Sequence, residues 1–369
     1  MLKTEFMGLQ LKNPIVVAAG PWSHDGHSML KSIEAGAAAV VTESVVSDTL
    51  YDVRPYIACD SMGAQNIRMY SDIQVEEWEK EIDLVNEAGG VVIGSVSAQT
   101  PSELGYLANK LEKFGCSAIE LSVSNPAMEA LEVVASHADV IFDMTREVVS
   151  AVDIPVTVKL SQNTTNISKV AKAVKAAGGS GVSAINSVRG IIGVDLENAV
   201  PALNTYGGIS GEYIRPMGLA SVATIAQSVD IPVCGVGGIS SGRNALEYIM
   251  LGASAVQVGT AVMTDGYEVI SDILEDMTDW MNKHGYDSLD QIRGKALSNM
   301  KSFDEMKFEP AVSTASSIPC ESKCEKCVNL CSYHAISRMG EIVDINKNSC
   351  NGCGFCVYVC PTGKLKLDW

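Results

Sequence analysis

Between residues 14 and 259 the chain repeats one pattern eight times: a short run of β-branched and small apolar residues, then a stretch with helical spacing. The apolar runs fall at 14–19, 38–42, 91–96, 118–123, 155–160, 181–186, 232–236 and 255–259. Helical segments lie between them, for example at 28–35, 75–87, 102–114, 136–152 and 167–177. Glycine breaks such as Ala35-Gly36-Ala37 and Ala177-Gly178-Gly179 follow the helices. Strands buried on both faces read as near-continuous apolar runs, so the sheet is expected to be parallel. Eight βα units over this length predict an α/β fold of the (β/α)8 TIM-barrel class. A doubly wound sheet competes but usually needs fewer units. Helical sequence continues through 267–283 and 289–297.

The last fifty residues are built differently, with eight cysteines in two runs. The first is Cys320-Glu-Ser-Lys-Cys324-Glu-Lys-Cys327-Val-Asn-Leu-Cys331; the second is Cys350-Asn-Gly-Cys353-Gly-Phe-Cys356-Val-Tyr-Val-Cys360, followed by Pro361. Such quartets resemble the bacterial ferredoxin pattern for two [4Fe–4S] clusters, in which three thiolates come from one tight loop and the fourth from the other half. The expected ligand sets are Cys320, Cys324, Cys327 and Cys360 for one cluster, and Cys350, Cys353, Cys356 and Cys331 for the other. The second run fits C-x2-C-x2-C-x3-C-P in full. The first has three residues between Cys320 and Cys324, and Ser332 in place of the proline. A disulfide framework and paired zinc knuckles are the competing readings; the absence of a secretory signal and the four-in-one-run spacing disfavour them. The expected organisation is therefore a barrel over residues 1–304, a Pro/Ser/Ala linker over 305–318, and a small ferredoxin-like α+β domain over 319–369.

Net charge is -17 over 369 residues, which disfavours nucleic acid and anionic membranes as partners. No run approaches the ~18 apolar residues of a membrane span. Cys59, Cys116 and Cys234 read as ordinary buried thiols, and the expected location is a reducing cytoplasm. Homo- and hetero-oligomers are both left open.

Chemistry in a (β/α)8 barrel sits at the C-terminal ends of its strands. Two late strand ends carry glycine: Gly235-Val-Gly237-Gly238-Ile239-Ser240 and Gln257-Val-Gly259-Thr260-Ala261. Glycines there let backbone N–H groups approach a phosphate. Tight strand-to-helix turns explain the same glycines. No G-x-G-x-x-G opens a helix after the first strand, so a nicotinamide site is not indicated. Iron–sulfur clusters carry single electrons while organic substrates usually exchange two. Flavin mononucleotide does both and bears one phosphate, so it is the expected bridge.

Several segments, in order, resemble the dihydroorotate dehydrogenase family. They include Val158-Lys159-Leu-Ser-Gln-Asn, Ala184-Ile-Asn186-Ser187, Gly207-Gly-Ile-Ser-Gly211 with Ile214-Arg-Pro216, Gly237-Gly238-Ile and Gly259-Thr260. With the cysteine tail, the chain looks most like the FMN and iron–sulfur subunit of bacterial dihydropyrimidine dehydrogenases. The resemblance implies an FMN-dependent enzyme acting on a C–C bond beside a carbonyl, with a small unsaturated cyclic amide or enone as substrate. A separate NAD(P)H-reductase subunit or ferredoxin would be its electron partner. The alternatives are a dihydroorotate dehydrogenase, or an electron-transfer subunit without its own substrate. The resemblance also implies Ala19, Gly20, Ser44, Lys159, Asn186, Gly211, Gly237, Gly238, Gly259 and Thr260 at the cofactor. Lys159 would lie at the flavin N1/O2 edge, where a cation offsets negative charge. Asn66, Ser122, Asn186 and Ser187 would hold substrate, amides offering both donor and acceptor.

The chain departs from that family at three positions. The active-site loop after the fourth strand commonly reads Asn-x-Ser-Cys-Pro; here it is Ser122-Val123-Ser124-Asn125-Pro126. Asn125 replaces the acid/base cysteine and cannot shuttle a proton. Ser122 replaces a substrate asparagine, and Glu43 replaces a flavin-adjacent lysine. A changed substrate, a pseudo-enzyme that relays electrons, or transfer of the proton role to Ser124 or Glu43 would each account for this. His24 and His27 follow the first strand at the correct barrel end; His137 and His284 read as surface positions, and His334 as a group near a cluster.

Overall fold

The computed structural model describes residues 1–49, 53–306, 318–320 and 324–367. The chain divides into two compact units, Met1–Met300 and Lys301–Trp369. Most of the expected linker lies outside the described residues.

In the first unit eight parallel strands close into a barrel in sequence order. They are β1 (Ile15–Val17), β2 (Ala39–Val41), β3 (Val92–Val96), β4 (Ala118–Ser122), β5 (Val156–Leu160), β6 (Gly181–Ala184), β7 (Val233–Val236) and β8 (Ala255–Val258). All eight apolar runs become barrel strands, and the competing doubly wound sheet is ruled out by closure of β8 on β1 through Val256↔Ile15 to Val258↔Val17. The helices are α1 (Gly26–Glu34), α2 (Trp78–Glu87), α3 (Pro101–Lys113), α4 (Glu129–Ala135), α5 (Ala138–Ala151), α6 (Ile167–Ala176), α7 (Arg215–Ser228), α8 (Gly242–Met250), α9 (Thr260–Asp265) and α10 (Val269–His284). Their starts follow local chemistry: Asp25, Thr100, Asn166 and Ser241 each accept an N–H three residues on, and Pro101 occupies the first turn of α3, where its missing donor costs nothing.

The core lies between barrel and helices, with Trp78 and Tyr248 among its largest fully buried side chains. An N-terminal hairpin, Thr4–Phe6 against Leu9–Leu11, packs Phe6, Met7 and Leu11 on Val16, Ala39, Ala118 and Ala255, which begin or flank the strand starts. It plugs the end of the barrel opposite the chemistry.

Two differences from the sequence reading stand out. Residues 289–297 form single 3-10 turns, Leu289–Gln291 and Leu297–Asn299, instead of a helix. The N–H groups of Gly294 and Ala296 bond Ile249 and Met250 carbonyls at the end of α8, so they are taken from any helical ladder. Second, the segments after β2 and β6 are not plain loops. They pair into a four-stranded antiparallel sheet in the order Val188–Gly190, Gly207–Gly211, Gly63–Asn66, Ile57–Cys59. Cys59 is exposed on this sheet's edge strand, contrary to the expectation of a buried thiol; Cys116 and Cys234 are buried.

In the second unit, Ile342–Ile345 pairs with Ile318–Pro319 and with Ile336–Met339, both antiparallel. Two short helices, Lys326–Asn329 and Phe355–Val359, each carry a cysteine. Cys327, Ile336, Val343, Ile345 and Leu365 form its core.

Candidate functional site

A cavity of about 820 Å³ opens where the C-terminal ends of the barrel strands meet the antiparallel sheet. It is lined by Ala19, Gly20, Glu43, Ser44, Asn66, Ser122, Ser124, Asn125, Lys159, Asn186, Ser187, Gly211, Gly237, Gly238, Gly259 and Thr260. The site residues inferred from sequence for the barrel thus share one concave surface. His24 and His27 are not in its lining.

Lys159 points from β5 into a buried polar network. Its Nζ donates to Gln257 Oε1 at 2.5 Å and lies 3.6 Å from Glu120 Oε1. Glu120 Oε2 accepts from Gln257 Nε2 and from Ser183 Oγ, each at 2.6 Å. Four strands contribute one residue each, and Glu120 is 1% exposed. Full pairing is what a charge at this depth requires. Glu120, Ser183 and Gln257, which hold Lys159 in place, were not among the site residues inferred from sequence. The available signal was their place: polar residues inside otherwise apolar strand runs.

Glu43 is also buried, at 4% exposure. Arg68 meets it in bidentate fashion, Nε to Oε1 at 2.8 Å and an Nη to Oε2 at 2.9 Å. The same Nη lies 3.3 Å from Asp72, and His24 Nδ1 sits 3.3 Å from Glu43 Oε2. The hydrogen bond to Glu43 raises the His24 pKa above its ordinary value, against the opposing effect of partial burial. Arg68, absent from the sequence reading, supplies the counter-charge that lets Glu43 be buried.

Asn125 is committed to the backbone: its Oδ1 accepts from Ala127 N at 3.0 Å, and its Nδ2 faces Met69 Sδ at 3.6 Å. Asn186 Nδ2 donates to Ser124 Oγ at 2.8 Å and to the Ser124 carbonyl at 3.1 Å, tying the end of β6 to the loop after β4. Asn66 Oδ1 caps Arg68 N at 2.8 Å, and Ser44 Oγ pairs with Ser95 Oγ at 2.9 Å.

The late glycine loops form a backbone cradle. Gly238 has φ +62°, and a Cβ there would stand 2.7 Å from the Gly211 carbonyl oxygen. Tyr248, inside the core, donates to the Gly237 carbonyl at 2.8 Å and fixes the loop from beneath. Thr260 Oγ1 pairs with Ser210 Oγ at 2.8 Å, joining the end of β8 to the antiparallel sheet. A cavity of this size, lined by the glycine backbone and by the buried Lys159 ammonium, fits a phosphate-bearing flavin.

In the second unit a smaller cavity, about 230 Å³, is lined by Cys331, Cys350, Cys353, Cys356 and Cys327. The backbone N–H of Ala335 donates to Cys331 Sγ at 3.3 Å. Burial pushes the Cys327 and Cys356 thiols up. Burial also acts upward on Cys360, but the donors of Thr362, Lys364 and Leu365 outweigh it and leave that thiol at about 7. Soft thiol donors converging on one space fit an iron–sulfur cluster, whose binding would displace these protons. Arg338 donates to the Cys324 and Cys320 carbonyls at 2.8 and 3.1 Å, tying both cysteines to the strand Ile336–Met339.

A family model described as dihydroorotate dehydrogenase matches residues 1–281. The chain belongs to the dihydroorotate dehydrogenase family. It is therefore an oxidoreductase of the class that acts on CH–CH donors with FMN, on a TIM barrel. Among curated relatives, the dihydroorotate dehydrogenase B (NAD(+)) catalytic subunit of Thermoplasma volcanium is 35% identical over 80% of this chain and 98% of its own length. That of Methanocaldococcus jannaschii is 34% identical over the same shares. That of Methanosarcina mazei is 35% identical, covering 78% of this chain and 93% of its own. A 4Fe-4S binding domain model matches residues 342–365, the segment holding Cys350, Cys353, Cys356 and Cys360. Among the described residues, no helix is long and apolar enough to cross a membrane.

Proposed function

We propose that this family member is a cytoplasmic FMN- and iron–sulfur-dependent oxidoreductase acting on a C–C bond beside a carbonyl in a small cyclic amide, in the manner of dihydropyrimidine dehydrogenases. One observation carries the reading: a single cavity gathers the glycine cradle, a buried lysine and the amide and hydroxyl groups of Asn66, Ser122, Asn186 and Ser187, in a chain that also holds two cysteine quartets. Gly237, Gly238, Gly259 and Thr260 would hold the phosphate, Ala19, Gly20, Ser44 and Gly211 the remaining nucleotide, and Lys159 the electron-rich edge of the ring. FMN, when bound, supplies hydride exchange with an organic substrate and single-electron exchange with clusters. Both quartets are read as cluster ligands: Cys331 with Cys350, Cys353 and Cys356, and Cys320 with Cys324, Cys327 and Cys360. Electrons would pass to or from a separate NAD(P)H-reductase subunit or a ferredoxin.

The protein's own work is then to orient a ring and move a proton. Asn186 and Ser187 present donor and acceptor from the end of β6, and Asn66 does so from the sheet above. Asn125 has no proton to give and its amide serves the loop. Ser124 is the hydroxyl next to Asn125 in that loop, and because Asn186 donates to its oxygen, its own O–H is left to donate. Glu43, held on both oxygens by Arg68, serves as a counter-ion instead of the acid. Dihydroorotate is the competing substrate, favoured by the names of the relatives.

The test is anaerobic purification with cofactor analysis, then turnover of uracil, dihydrouracil, dihydroorotate and simple enones by the loaded protein. Turnover of an uncharged cyclic amide, lost in Ser124→Ala, is the expected result. Flavin-free, iron-free protein after reconstitution would overturn the reading. Reoxidation by protein partners alone would make it an electron-transfer subunit.

A further inference from the structure

We infer that the Glu43–Arg68 pair is a charge filter, which makes the site select an uncharged ring and reject one bearing a carboxylate. This rests on the proposed ring chemistry and concerns what that ring carries.

The cavity lining holds two cations among the described residues, Arg68 and Lys159, against Glu43, Glu120, Asp60, Glu212, Asp265 and Asp272. Both cations are already neutralised. Lys159 has Glu120 and the Gln257 carbonyl oxygen. Arg68 has both oxygens of Glu43 and one of Asp72. The guanidinium already faces two carboxylates, Glu43 held bidentately and Asp72 on the same Nη, so a ring carboxylate arriving there meets a wall whose positive charge is spent and whose 4%-exposed Glu43 repels it. Dihydroorotate is a ring carboxylate, and the curated relatives are named for acting on it. This chain retains a cation at the cavity wall but supplies the anion from its own Glu43.

The location suits substrate selection. Arg68 follows Asn66, whose side chain caps the Arg68 N–H, and precedes Met69, whose sulfur meets the Asn125 amide. The guanidinium thus belongs to the wall that carries Asn66, proposed to bind the ring. The phosphate cradle lies in the glycine loops after β7 and β8, so an anion there does not depend on Arg68.

The experiment uses FMN-loaded holoprotein and two matched ligands, orotate and its uncharged amide. Binding is followed by perturbation of the flavin visible spectrum. In the natural protein the amide is expected to bind at least about tenfold tighter than orotate, the scale of one charge-assisted hydrogen bond. In Glu43→Gln, which removes the buried, bidentate part of the counter-charge and leaves only the half-exposed Asp72, orotate should gain about tenfold while the amide changes less than about threefold. Equal or tighter orotate binding by the natural protein overturns the inference, and that arm needs no variant to fold. An unchanged orotate affinity in Glu43→Gln with FMN retained overturns the role of the pair. Silence of both ligands with FMN in place overturns the ring class selected here, whereas flavin content on the same samples separately tests the reading on which it rests.

Discussion

Replacing Lys159 by Met would strand a buried carboxylate. Lys159 is 7% and Glu120 1% exposed, and their charged atoms lie 3.6 Å apart. Removing one partner of a buried pair costs about 3–5 kcal/mol, because the other charge is left uncompensated. Here Glu120 keeps its hydrogen bonds from Gln257 and Ser183, both at 2.6 Å, so the low end, about 3 kcal/mol, is expected. For a body of roughly 300 residues, with an unfolding entropy of ~2.1 cal/mol/K per residue, this lowers Tm by about 5 °C. The double variant Lys159→Met with Glu120→Gln removes the stranded charge and should recover most of that loss. Thermal unfolding of flavin-free protein, followed by near-ultraviolet circular dichroism, separates this from any effect on cofactor binding. If the single variant melts with the natural protein, or the double variant melts no higher than the single, the pair does not carry the buried charge balance argued above.

Three further outcomes follow from the same geometry. Gly238→Ala puts a Cβ 2.7 Å from the Gly211 carbonyl oxygen at φ +62°, a clash with backbone that cannot swing away, so the flavin-to-protein ratio should fall at least about tenfold; normal flavin content would place the phosphate elsewhere. His24, raised by its bond to Glu43, stabilises the fold fully below its unfolded pKa of about 6.5 and loses that contribution as pH rises through the higher folded value. The Tm advantage of the natural protein over His24→Gln should therefore shrink above about pH 6.5, and by little, since His24 is partly solvated; an advantage growing with pH contradicts the assignment. Cys353→Ser should lower iron and acid-labile sulfide by about four atoms each per chain, and unchanged iron would remove Cys353 from the ligand set.

The barrel was legible because its strands are short apolar runs at regular spacing, and burial on both faces leaves no alternation to confuse them. The helices Gly26–Glu34, Pro101–Lys113 and Ile167–Ala176 were legible by their spacing, and their caps Asp25, Thr100 and Asn166 are local devices that reach only three residues. The second cysteine run was legible because cluster ligation fixes spacing. What failed was non-local. The turns at 289–297 owe their form to carbonyls of α8, distant in sequence. Glu120, Ser183 and Gln257 each look like a single polar interruption of a strand; their meaning appears when the barrel closes and brings them to one point with Lys159. Glu43 read alone is a lost positive charge. With Arg68, twenty-five residues away, it is half of a neutral pair.

The antiparallel sheet over the barrel mouth has the same cause, and it matters most for function. Its strands lack apolar alternation, and Gly207–Gly211 is rich in glycine, because close backbone approach replaces side-chain packing: a Cβ on Gly211 would lie 2.5 Å from Gly63 Cα. Pairing sets Gly208 opposite Asn66, Ser210 opposite Ala64 and Gly211 opposite Gly63. One rigid ladder thus carries Asn66, proposed to read the substrate ring, and Ser210, whose hydroxyl meets Thr260 at the proposed phosphate end. The neighbouring strand Val188–Gly190 follows directly on Asn186 and Ser187. The segments after β2 and β6 that carry the proposed substrate groups are therefore not independent loops. They are held at fixed register to each other and, through Thr260, to the end of β8. Under the proposed function, exchanging side chains at Glu43, Ser122 and Asn125 would change the substrate while this frame stays intact.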